Sequence, residues 1–140
     1  MPITPSNAFE LSILTSTFST DMVLKLYTND INPSGTDTVA TYTEATQDGY
    51  DEITLTGGSW NISTVNGAGT AEYAQQTFTF TEAVTVYGYY VTNVAGDVFH
   101  FAERFQVDDG AGGYTDAPAI IGSSGGTVNV TPKFAIDKAA

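Results

Sequence analysis

Residues 83–107 read AVTVYGYYVTNVAGDVFHFAERFQV, and this stretch decides the fold class. Two runs rich in β-branched and aromatic residues, 83–92 and 98–107, flank Ala95-Gly96-Asp97, whose residue types favour a turn. Alternation along the second run puts three aromatic rings on one face, which we expect to be buried: Phe99, Phe101 and Phe105. The stretch therefore predicts two strands joined by a turn.

Runs of the same kind recur along the chain at nearly regular intervals. Turn residues such as Asn32-Pro33-Ser34-Gly35, Gly57-Gly58 and Asn66-Gly67 separate them. We count about eight strands, at 22–28, 38–43, 50–56, 59–63, 72–80, 83–92, 98–107 and 127–136. This pattern predicts an all-β fold, specifically a β-sandwich, and the strand count favours a jelly-roll order over an immunoglobulin-like one.

The N-terminal segment has a different pattern. Residues 6–17 space their apolar side chains as a helix does, with Asn7 as a possible cap and Glu10 three positions on. Several Ser and Thr residues are poor helix formers, so an extended arm that pairs with a neighbouring subunit is the alternative. We therefore expect a helix or arm at 1–20 and a single sandwich domain at 21–140.

Composition excludes several classes of function. The 140 residues carry a net charge of −12, with only four Lys and Arg, so neither nucleic acid nor an anionic membrane is expected as a partner. The absence of cysteine excludes disulfides, zinc-thiolate sites and thiol nucleophiles. No apolar run has signal-peptide length or the roughly 18 residues of a membrane span. We expect a soluble protein made in the cytoplasm.

Catalytic and cofactor signals are weak. His100 is the only histidine, no G-x-S-x-G elbow is present, and the sixteen acidic residues form no distinctive pair. The sequence therefore predicts no catalytic residue, no cofactor and no metal site, and the protein is not expected to be an enzyme. Asp108-Asp109-Gly110 with Asp116, and residues 48–52, leave calcium binding open as an alternative.

Two sets of apolar residues are candidates for contact with another molecule. Residues 108–126 contain six Gly and no clear strand, yet include two adjacent isoleucines, so this long loop folds back on its own domain or contacts another subunit. The candidate interface comprises Phe9, Leu11, Leu14, Ala119, Ile120 and Ile121. A separate aromatic platform that could stack on sugars comprises Trp60, Tyr87 and Tyr89.

Several stretches, in order along the chain, resemble small β-rich proteins encoded in the structural-gene modules of tailed bacteriophages. They are NAFEL at 7–11, VLKLYTND at 23–30, YTEAT at 42–46 followed by GY at 49–50, VYGYYVT at 86–92 and FAERF at 101–105. The resemblance implies a virion component. Within that class it points to a capsid decoration or cement protein, forming a homotrimer that binds the major capsid protein on the capsid surface. A tail-associated or adhesin-like module that binds a receptor or carbohydrate is the alternative.

Overall fold

The computed structural model describes residues 3–136 and is built almost entirely of β-strands. One helix, α1, spans Asn7–Thr17, and a 3-10 helix spans Val39–Thr41. Strands β1 to β13 follow in chain order: Met22–Tyr27, Ile53–Leu55, Asn61–Val65, Ala68–Glu72, Gln76–Phe80, Val84–Val86, Gly88–Asn93, Phe99–Arg104, Gln106–Asp108, Tyr114–Asp116, Ala119–Ile121, Gly126–Val130 and Lys133–Ala135. The predicted all-β fold with a short N-terminal helix is confirmed.

The described chain divides into two compact units, which is not the division expected at residue 20. The first unit comprises the N-terminal residues through Asp21, Leu55–Gln75 and the residues from Thr131 onward. The second comprises Met22–Thr54 and Gln76–Val130. The helix is therefore part of a compact unit, and the extended-arm alternative does not hold.

In the first unit, α1 packs on a sheet of strand order β13-β4-β3. Ser6, rather than the predicted Asn7, caps the helix, and its hydroxyl accepts a hydrogen bond of 3.1 Å from Phe9 N. The helix approaches β4 closely at Gly69, where a Cβ would lie 3.2 Å from Leu14 Cδ1. Trp60 is buried beside Phe18, with ring centroids 4.5 Å apart.

The second unit contains the largest sheet, of strand order β2-β1-β7-β8. Strands β1 and β7 pair antiparallel from Met22↔Asn93 to Tyr27↔Gly88. A register shift between Val91 and Thr92 marks a bulge in the β7–β8 pairing. Three tyrosines form a buried cluster, with the Tyr42 and Tyr90 rings stacked at 4.9 Å and Tyr27 at the edge of Tyr42.

The strands are shorter and more numerous than expected. Two predicted long strands are each interrupted, at Tyr87 between β6 and β7 and at Phe105 between β8 and β9. The expected long loop also contains strands, since β10 pairs with β9 and β11 pairs with β6. These pairings give sheets of two to four strands, while the sandwich and its jelly-roll order stay predictions.

Candidate interaction surface

The clearest candidate surface in the second unit is the segment from Gln106 to Ile121, which we call the docking segment. Its β9–β10 hairpin contains only exposed strand residues. Thr115 pairs with Val107, whereas Tyr114 pairs with Asp108, so an exposed apolar side chain lies on each face of the hairpin. Tyr114 is 71% exposed and Ile120, on β11, is 76% exposed. The strand residues of the hairpin therefore do not bury a hydrophobic core.

Arg104, at the end of β8, fixes the position of this hairpin. Its guanidinium lies 2.6 Å from Asp30 Oδ1 and 3.0 Å from Asp116 Oδ1, and it donates a hydrogen bond of 2.9 Å to the Ile31 carbonyl. The Asp116 contact is an ion pair rather than a hydrogen bond, because Arg104 Nε has no hydrogen-bond partner among residues 3–136. The hydrogen bond to Asp30 is the main reason that the pKa of Arg104 is raised.

The Arg104 side chain is only 9% exposed and lies over the Tyr87 ring, 5.4 Å from its centroid. The guanidinium therefore joins three parts of the second unit: the loop at Asp30, the end of β6 and the hairpin strand β10. Both carboxylate partners are substantially exposed, so each ion pair is worth no more than about 1 kcal/mol. Arg104 thus links the hairpin to the loop at Asp30 and Ile31 and to the Tyr87 ring.

The hairpin loop uses its acidic residues to build its own turn. Asp108 Oδ1 accepts a hydrogen bond of 2.7 Å from Gly110 N, and Asp109 Oδ1 accepts bonds from Ala111 N and Gly113 N at 2.7 and 3.1 Å. These bonds hold the pKa of Asp109 below its usual range. Within the part of the chain that the structure describes, no three acidic or histidine side chains come together as a metal site. The geometry therefore gives the calcium alternative no support.

A groove with a volume of about 410 Å³ lies along β8, opposite the loop at Pro33 and Ser34. Ser34, Asp37 and His100 all line it, which are the residue types of a hydrolase triad. Their hydrogen bonds do not form a catalytic relay, because Asp37 Oδ2 accepts from the Tyr42 hydroxyl at 2.7 Å and from Ser34 N at 2.8 Å. Partial burial lowers the pKa of His100.

The predicted sugar-binding platform is not available on the surface. Trp60 and Tyr89 are buried, and Tyr89 Oη lies 3.4 Å from Glu103 Oε2. Tyr87 is half-buried under Arg104 and packs against the tyrosine cluster that contains Tyr90. The alternation that grouped Tyr87 with Tyr89 does not reveal their burial, and Trp60 belongs to the first unit whereas both tyrosines belong to the second.

The predicted interface residues differ in how exposed they are. Phe9 and Ile120 are exposed, while Leu11, Ala119 and Ile121 are half-buried. Leu14 is only 1% exposed and belongs to the core of the first unit, so its assignment to an interface is corrected. The sequence reasoning missed Val107, Tyr114 and Arg104; a signal for Arg104 was its rarity, as one of four basic residues in the chain.

The Arg104 contacts predict a local effect of removing one partner. We expect Asp116→Asn to speed amide hydrogen exchange in residues 106–116 by up to about fivefold, because a partly exposed ion pair of about 1 kcal/mol is lost. Exchange in β1 and β7 should not change. Asp51→Asn, at an exposed position, is the control of equal charge change. Unchanged protection of the hairpin in Asp116→Asn would show that Arg104 does not position it.

Comparisons of this chain with protein-family models, with curated proteins and with solved structures find no match. The one α-helix of the described residues has eleven residues, and no helix there has the length and apolar character needed to cross a bilayer.

Proposed function

We propose that this chain is a structural protein of a tailed-phage virion, a capsid decoration protein that binds the assembled head through its docking segment. The observation that carries the proposal is that residues 106–121 expose Val107, Tyr114 and Ile120 although none of these residues is needed to cover the core. The resemblance of the sequence to phage structural proteins supplies the class of partner.

The geometry favours binding because the segment is ordered before it meets a partner. Hydrogen bonds of β9 with β10 and of β11 with β6, together with Arg104, hold the backbone in place. A pre-organised segment loses little conformational entropy on binding, so more of the contact energy appears as affinity. Covering the exposed part of Ile120 adds about 1 to 2 kcal/mol.

The charge distribution supports a protein partner. Carboxylates greatly outnumber basic groups, so the protein gains nothing from contact with packaged nucleic acid and would bind a neutral or basic outer surface. Tyr114 stands opposite the acidic Asp108 on one face of the hairpin, whereas Val107 lies on the other face opposite Thr115.

The test is co-sedimentation with purified heads from which accessory proteins have been stripped. We expect the wild-type protein to saturate the heads and Ile120→Asp to bind at least about tenfold more weakly, because a carboxylate replaces an apolar anchor. Thr79→Asp, also at an exposed strand position of the second unit, is the matched control and should bind normally. Normal saturation by folded Ile120→Asp would refute the role of β11.

A receptor- or carbohydrate-binding module is the second candidate, now supported by the groove along β8 rather than by the Trp60 platform. Phe99 and Phe101 bring aromatic surface to that groove, and Asp37 and His100 bring polar atoms. Binding of the wild-type protein to host-cell polysaccharide, with no binding to heads, would favour this function over decoration.

A further inference from the structure

We propose that the exposed face of α1 that carries Phe9 and Ile13, here called the helix face, binds a second copy of this chain. The helix face belongs to the first unit, whereas the docking segment belongs to the second. The inference therefore does not depend on the proposed function.

The helix has two apolar faces, and the first unit covers only one of them. Leu14 is buried against the sheet, but Phe9 is 59% exposed and Ile13 is 43% exposed. These two residues are four positions apart and so lie next to each other on the helix surface. Ile3, just before the helix, is also strongly exposed. An apolar strip of this kind on a surface helix is typical of a contact with another polypeptide.

The region around the helix face lacks charge, in a chain that is otherwise highly acidic. Between residues 3 and 20 the only charged side chain is Glu10, which is buried, and residues 53–71 contain none. The other charged side chains among the described residues of the first unit are Asp21, and Lys133 opposite Glu72 in the sheet register. The second unit instead holds twelve carboxylates and only two basic side chains.

This unequal distribution of charge identifies the occupant. A second copy also carries a net charge of −12, so a contact through the carboxylates of the second unit costs Coulomb repulsion, whereas a contact through the uncharged helix face costs little. A basic partner would gain its attraction from the second unit instead. Two copies of the helix face are self-complementary, as a symmetric dimer contact requires.

The test is the molar mass of the full-length protein by light scattering after size-exclusion chromatography. We expect a mass of at least twice 14.8 kDa at high protein concentration, favoured further by added salt, which screens the remaining repulsion. Ile13→Asp should raise the dissociation constant at least about tenfold, since each copy would bring a new charge to the contact.

Thr15→Asp is the matched control, because it adds the same charge to an exposed position of α1 about 140° around the helix from the Phe9–Ile13 strip. It should associate as the wild type does. Phe9→Ser, which adds no charge, serves as a second variant if Ile13→Asp fails to fold. A wild-type mass of 14.8 kDa at every concentration, or association that survives both helix-face variants, would overturn the proposal.

Discussion

Gly88→Ala is expected to destabilise the protein by about 3 kcal/mol, the largest effect that we predict for a single substitution. Gly88 lies in β7 opposite Arg104 of β8, and β7 is flanked by β1 and β8 in the four-stranded sheet. A Cβ at this position would collide with the Glu103 carbonyl oxygen and lie 2.6 Å from Tyr27 Oη. The Glu103 carbonyl oxygen is a backbone atom and cannot rotate away as a side chain could. The collision is therefore avoided only if β7 and β8 separate and their hydrogen bonds lengthen.

Thermal and urea unfolding measure this effect. A loss of about 3 kcal/mol should lower the melting temperature by about 10 °C or more in a chain of this size. Gly35→Ala is the matched control, because no heavy atom lies within 4 Å of a Cβ built there and its backbone is not left-handed. The control should be neutral or slightly stabilising. If Gly88→Ala has the same melting temperature as Gly35→Ala, β7 and β8 are not as close as described.

The fold class was predictable because it depends on local patterns. Turn residues between runs of β-branched and aromatic residues identify strands, and helical spacing with a polar cap identifies α1, within one residue of its observed start. Strand interruptions were not predictable. Tyr87 and Phe105 have strong strand preference, and their backbone N–H groups still donate to the Tyr27 and Tyr87 carbonyls, yet the regular strand is interrupted at each.

The candidate surface was only partly predictable, for the same reason. Ile120 stood out because an apolar side chain in a Gly-rich segment is unusual, and it is exposed. Arg104 instead gains its role from the Ile31 carbonyl, 73 positions away, and from Asp30 and Asp116, which no sequence pattern links to Arg104. Burial of Leu14 and Trp60 likewise follows from the packing of α1 and the sheet of the first unit, which periodicity alone does not specify.

Alkaline pH is expected to unfold the protein, because four tyrosine hydroxyls of the second unit resist ionisation in the folded state. Burial raises the pKa of Tyr27 to about 12, and Tyr27 Oη has no hydrogen-bond partner among residues 3–136. Burial is also the main reason that the pKa values of Tyr42, Tyr50 and Tyr90 are raised. Tyr42 donates its proton to a hydrogen bond with Asp37, and Tyr50 donates to Glu44.

The direction of the pH dependence follows from proton binding. Between pH 10 and pH 12 the folded protein keeps the Tyr27 proton that the unfolded chain has lost, so stability is complete below pH 10 and falls as pH rises. Tyr27 alone accounts for about 2 to 3 kcal/mol. Tyr42, Tyr50 and Tyr90, whose pKa values are also raised by burial, add to the loss in the same direction. Urea unfolding at stepwise higher pH, with tyrosinate absorbance, measures this loss.

Tyr27→Phe separates this mechanism from general alkaline denaturation. It removes a buried hydroxyl that lacks a partner, so we expect stability at neutral pH to be unchanged or slightly higher and the loss above pH 10 to be about 2 to 3 kcal/mol smaller. Tyr114→Phe is the matched control, since the exposed Tyr114 hydroxyl meets water in the folded and unfolded chain alike. If the free energy of unfolding falls equally steeply above pH 10 in the wild type and in Tyr27→Phe, Tyr27 ionises without unfolding the tyrosine cluster.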